Sequence, residues 1–173
     1  MKTGVLVAAG AAALALGVAD VAYRARQWGV YAREIALSLP GDQLAGGPTG
    51  SVTRGVTVHA PADEVWHYLF EAAGARDGAC VVGERSLLLP GDLDGGLPVP
   101  VRTFHVLPVQ VPRDAGRARC RLVTRTRTAP RGPLGRIAAA VLEPLTMLTT
   151  RRVLLAVKDR AEQASGWTAV TTG

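Results

Sequence analysis

Between Cys80 and Thr128 the chain presents strand candidates one after another, "CVVGE", "RSLLL", "VPVRTFHVL", "VQV" and "RARCRLVTRTRT", with no helix between them. The breakers "PGDLDGG" and "PRDAG" that divide them are turn sequences. Parallel strands need a long crossover, so strands spaced this closely pair antiparallel. The pattern then switches to one long helical stretch, "GPLGRIAAAVLEPLTMLTTRRVLLAVKDRAEQ". Leu134, Ile137, Ala138 and Val141 recur there at helical spacing, and beyond Pro144 the series Met147, Leu154, Val157 and Ala161 continues on a shifted face. A kink is expected near Glu143. Ahead of the strands, "SVTRGVTVHA" alternates as a strand, with Val52, Val56 and Val58 on one parity. "APADEVWHYLFEAA" follows as a helix, with Asp63 and Glu64 in its first turn and Val65, Trp66, Leu69, Phe70 and Ala73 on one apolar face. This order makes an α+β domain whose antiparallel sheet curls around the last helix.

The 173 residues hold one domain with a small excess, and 48% apolar content is enough for a core. The formal charge of +6 comes almost wholly from arginine, since Lys2 and Lys158 are the only lysines, and it favours anionic partners. In the last strand Arg117, Arg119, Arg121, Arg125 and Arg127 share one parity, and Cys120, Leu122, Thr124 and Thr126 share the other. The arginines are therefore expected on the outer face, solvated, with contact to anionic lipid through Arg119, Arg121 and Arg125 as the functional alternative. Nucleic acid is not expected as a partner, because no stacking aromatics interleave the charge and the chain is only 5% aromatic.

From Gly4 to Tyr23 the sequence "GVLVAAGAAALALGVADVAY" carries one charge, Asp20, and as a helix it spans roughly 30 Å, about one hydrocarbon core. An uncleaved transmembrane anchor, a cleaved signal peptide and a buried soluble helix are the three readings, of which the anchor is preferred. Arg24, Arg26 and Arg33 follow the span and lean toward a cytoplasmic C-terminal domain on a single-pass cell-membrane protein; cleavage would make it secreted. Tyr23, Trp28 and Tyr31 stand where interfacial aromatics belong. The expected organisation is anchor or signal over 1–23, juxtamembrane helix (Ala32 to Leu39) and linker over 24–49, folded domain over 50–164 and flexible tail over 165–173.

Motifs for chemistry are sparse. Cys80 and Cys120 match no zinc or C-x-x-C spacing and read as two small apolar side chains. "GDLDGG" at Gly91 to Gly96 lacks the ligand spacing and terminal glutamate of a calcium loop. Nucleophile-elbow, zincin, P-loop and dinucleotide signatures are missing, and neither metal nor cofactor is expected. His67 falls on the polar side of its helix, and His105 is the best-placed acid or base, on a central strand between Phe104 and Val106.

Four stretches carry a resemblance: "WGVYAREIALSLPGDQL" from Trp28, "TRGVTVHAPADEVWHYL" from Thr53, "TRTAPRGPLGRI" from Thr126 and "LEPLTMLTTRRVLLAVKDRAE" from Leu142. Together they resemble the START/Bet v1-like (SRPBCC) superfamily, in its bacterial polyketide cyclase/dehydrase-like branch with an N-terminal membrane segment. The resemblance implies a helix-grip fold, with an apolar cavity between the sheet and the C-terminal helix. Trp66, Phe104, Leu122, Thr124, Ile137, Val141 and Met147 are the residues expected to line it. It further implies membrane-tethered binding of an apolar small molecule or lipid without an assigned reaction. The alternatives are a cyclase- or dehydratase-type enzyme and a membrane-surface scaffold with a collapsed cavity. The middle, "EAAGARDGACVVGERSLLLPGD", departs from the family in lacking aromatics, which removes stacking surfaces for a flat polycyclic ligand.

Overall fold

A computed structural model describes residues 27–44, 50–73, 78–89, 100–109, 118–128 and 132–167. Five strands form one antiparallel sheet: β1 (Gly50–Val58), β2 (Cys80–Gly83), β3 (Ser86–Leu89), β4 (Val101–Pro108) and β5 (Cys120–Thr128), in the order β1-β5-β4-β3-β2. Among the described residues the helices are α1 (Ala32–Ala36), α2 (Ala62–Ala73) and α3 (Gly132–Ala164), with a 3-10 turn over Asp42–Leu44. Most of the expected "VQV" strand, the 4–23 segment and residues 168–173 lie outside the described residues. Among the described residues no helix is long and apolar enough to cross a membrane.

The register sorts the side chains into two faces. Val56 and Leu122, Phe104 and Thr124, and Leu87 and Phe104 are cross-strand partners and so share a face. On that inner face Val56, Val58, Leu87, Leu89, Phe104, Val106, Cys120 and Leu122 form one buried cluster with Val65, Leu69 and Ala73 of α2 and with Leu154, Val157 and Ala161 of α3. Strand, helix, four strands and a long helix across one face is the arrangement expected of a helix-grip domain. α3 runs unbroken through Pro144. It ends with Gly166 in the left-handed region (φ 68°), where Gly166 and Trp167 donate backbone hydrogen bonds to Gln163 and Glu162 at 3.1 and 2.8 Å. Trp167 stacks on His59 with centroids 4.1 Å apart, so residues 165–167, expected in the tail, are held against the fold.

The outer face is covered too. Residues 27–44, expected as a juxtamembrane helix and linker, pack across it: Glu34 and Leu39 are buried there, and Leu88 and Val123 are buried beneath them. Closest approach is backbone to backbone, where the Gly55 N–H donates to the Trp28 carbonyl at 3.1 Å. Gly29 has φ 69°, and a Cβ on it would stand 2.2 Å from the Gly55 carbonyl oxygen, so Gly29 has no room for a side chain in this arrangement.

The arginines of β5 hold this cover, which corrects the expectation of a solvated face. Their parity is the outer one, as read, but Arg121 and Arg125 are only 5% and 3% exposed. Arg121 donates from Nε and Nη2 to the two carboxylate oxygens of Glu34 at 2.6 and 2.8 Å, to the Gly29 carbonyl at 2.6 Å and to Thr57 at 2.8 Å. Arg125 pairs with Asp42 at 2.6 Å and donates to the carbonyls of Glu34, Ile35 and Leu37. These are the orphan carbonyls of α1, so one guanidinium caps a helix too short to persist alone. α1 ends at Ala36, before the Leu39 expected from Pro40. Of the three arginines assigned to lipid, Arg119 alone is exposed.

Candidate functional site

The inner face of the sheet, toward α3, grades from apolar to polar along the strands. Toward Cys120 it consists of Val106, Leu122 and the buried cluster. Toward Thr128 the same parity carries Thr124, Thr126 and, on the neighbouring strands, Arg54 opposite Thr124 and Arg102 opposite Thr126. Arg54 is 1% exposed and lies 3.8 Å from the Glu143 carboxylate of α3. Thr150, fully buried, continues the spacing of Leu154, Val157 and Ala161 one turn back toward Glu143. Thr124 donates to the Thr103 carbonyl at 2.9 Å, whereas Thr126 Oγ1 and Thr150 Oγ1 make no hydrogen bond among the described residues.

The expected lining residues divide. Phe104, Leu122 and Thr124 come together on the inner face, with Phe104 and Thr124 directly paired. Trp66 is half-buried on α2 against the same core, its ring 6.1 Å from that of Phe70. Met147 is half-buried on α3. Ile137 and Val141 do not face the sheet: they are 60% and 67% exposed on the outward side of α3. The reason is the helix's phase. Gly135, Glu143 and Thr150 share the side that continues into Leu154, and the apolar stripe through Ile137 and Val141 is on the opposite side. Arg54, Glu143, Thr126 and Thr150 were missed. Arg54 had a signal, since it shares the parity of Val52, Val56 and Val58 and breaks an apolar row with a charge.

His105 faces the other way. It is fully buried under the 27–44 cover, between Ser86 Oγ at 2.9 Å and Thr103 Oγ1 at 2.8 Å. Thr103 gives its own proton to the Arg125 carbonyl at 3.3 Å. One tautomer satisfies the set, with Nε2–H donating to Thr103 and Nδ1 accepting from Ser86. Burial, reinforced by the Arg125 charge and opposed by Asp42, pushes its pKa down to about 4. It is a neutral structural imidazole beyond reach of the inner face. Cys120 is buried in the core with its thiol pushed up to about 12 by burial, and Cys80 is exposed. No group of three metal-ligating side chains occurs among the described residues.

No family profile matches the chain, and no curated protein matches it in sequence. Likenesses among solved structures are distant. A point mutant of Thalictrum flavum norcoclaurine synthase with a transition-state analogue aligns at 15% identity and TM-score 0.39, over 68% of this chain and 97% of that one. The Zhui aromatase/cyclase of Streptomyces sp. R1128 aligns at 21% and 0.39, over 70% and 100%. The di-domain ARO/CYC BexL of the BE-7585A biosynthetic pathway aligns at 19% and 0.43, over 65% and 46%. The fold described above rests on strand order and packing.

Proposed function

We propose that this is a membrane-tethered domain that binds an amphipathic small molecule or lipid between the sheet and α3. The tether is the 4–23 segment. The observation that carries the reading is the gradient on the inner face: an apolar wall around Leu122 and Phe104 passes into Arg54, Thr126, Glu143 and Thr150. Apolar pockets with a few convergent polar groups orient a ligand by its polar end. Thr126 and Thr150 test this, because a buried hydroxyl without a partner contributes nothing to the empty domain and is available to a ligand. Thr126→Val with Thr150→Val should leave thermal stability unchanged or raise it by up to about 1 kcal/mol. The same pair should cut several-fold the amount of co-extracted apolar molecule seen by native mass spectrometry of the full chain. Absence of any bound apolar mass in the wild type would end the reading, and so would full retention by the double variant.

A cyclase- or dehydratase-type enzyme is the second reading, and the Arg54–Glu143 pair favours it, since a carboxylate of α3 meets a buried cation on the inner face. There Glu143 would move the proton and Arg54 would hold developing negative charge. Loss of turnover on the extracted ligand in Glu143→Gln, with binding retained, would select it over simple binding.

A further inference from the structure

The outward side of α3 is apolar where a helix packed on a sheet should be polar. Leu134, Ile137, Val141, Leu145 and Leu148 are 80%, 60%, 67%, 61% and 54% exposed. Their spacing of three, four, four and three residues sets them on one stripe roughly 21 Å long. The stripe ends abruptly: further along the same side come Arg152, Ala156, Asp159 and Gln163. A solvent-facing helix of this kind has no reason to be apolar, and a stripe of this size marks an interaction surface.

Two observations say what covers it. Between 132 and 158 the sole acid is Glu143, which is turned to Arg54, while Arg136, Arg151 and Arg152 are exposed cations on the same helix. Apolar stripe plus cations is the composition of a helix lying in an anionic membrane interface. The second is the place where the apolar N-terminal segment joins the fold. The Arg151 guanidinium lies 5.2 Å from the Trp28 ring centroid, and Trp28 is fixed to β1 through Gly55. Trp28, five residues after the end of the 4–23 segment in the sequence, thus stands beside the end of the stripe.

We infer that the N-terminal half of α3 docks on an anionic lipid bilayer, with Leu134, Ile137, Val141, Leu145 and Leu148 in the interface and Arg151 and Arg152 at the headgroups. The inference rests on the tether reading given above.

The test uses the full chain with Cys80→Ser, which removes the exposed thiol, and an environment-sensitive fluorophore on Val141→Cys or, as a control on the same side beyond the stripe, Asp159→Cys. The probe membrane is phosphatidylcholine vesicles with and without phosphatidylglycerol, some carrying acyl-chain nitroxide quenchers. Flotation of the chain with the vesicles reads the tether separately. The expected result is a several-fold rise in emission at position 141 that the nitroxide lipids quench, with position 159 unchanged. Phosphatidylglycerol should strengthen the rise, and Arg151→Gln with Arg152→Gln should remove that gain. Water-like emission at 141 in chains that float overturns the docking and leaves the tether standing. Chains that do not float overturn both. Emission that is high without vesicles and immune to lipid nitroxide means that the 4–23 segment or a second copy covers the stripe, and the bilayer is then the wrong occupant.

Discussion

The guanidinium of Arg121 grips both carboxylate oxygens of Glu34 beneath the 27–44 cover, with the Tyr31 ring 4.5 Å away, while Arg119, two residues earlier, is exposed. Burial would raise the pKa of Glu34. The hydrogen bonds and charge of Arg121, with the Tyr31 N–H and the Arg33 charge, outweigh burial and hold it below the usual value. Arg121→Gln removes the cation and leaves a buried carboxylate, a loss of about 3 to 5 kcal/mol. Arg119→Gln should stay within about 0.5 kcal/mol. Urea unfolding of the two variants in mild detergent decides it, and equal small losses would mean that the 27–44 cover contributes nothing. Parity made the face of these arginines legible in the sequence. Their partner was not, because Glu34 lies 87 residues away and no period links the two. Arg54 was legible in principle, as a charge in the row of Val52, Val56 and Val58.

At the scale of elements, α3 behaves as two helices in one. Beyond Thr150 it is locked to the sheet by Leu154, Val157 and Ala161, and Glu162 ties it to the end of β1 through the His59 N–H at 2.8 Å. Before Thr150, Glu143 reaches Arg54 and the large apolar side chains face outward. Stability is therefore uneven along one helix. In detergent without added lipid, amide exchange across 132–148 should proceed by local opening that urea hardly alters. Exchange across 154–161 should require the same opening as β5. Glu143→Gln should speed the first region and leave the second unchanged. Equal protection in the two halves would refute this division. Existence and length of α3 were readable from its 3.6-residue period, but the face meeting the sheet was not. Periodicity finds an apolar stripe without saying whether the sheet or something else covers it, and here the longer stripe, through Ile137 and Val141, is the outward one.

Across the whole molecule, one sheet is held between two unlike layers: an apolar one of α2 and α3, and an ionic one in which Glu34, Asp42, Arg121, Arg125 and buried His105 meet. Acid should act on the second. His105 titrates at about 4 in the fold against 6.5 when exposed, so between those values the unfolded chain takes up a proton that the folded chain refuses. Stability must therefore fall as pH drops from about 6.5 to about 4, by roughly 3 kcal/mol at most, and level off below that range for this group. Glu34 and Glu162, both held below the ordinary carboxylate value of 4.5, contribute stability that is present above it and lost as pH falls further. For Glu162, burial opposes that shift and Lys158 and His59 overcome it. The two windows are separable by a single variant. Urea midpoints of the wild type should decline continuously from pH 7 to pH 3.5, whereas His105→Gln should be flat down to about pH 4.5 and then decline in parallel with it. A wild type equally stable at pH 7 and pH 5 would show that His105 is not buried as described. A His105→Gln slope identical to the wild type across that interval would move the titrating group elsewhere in the ionic layer.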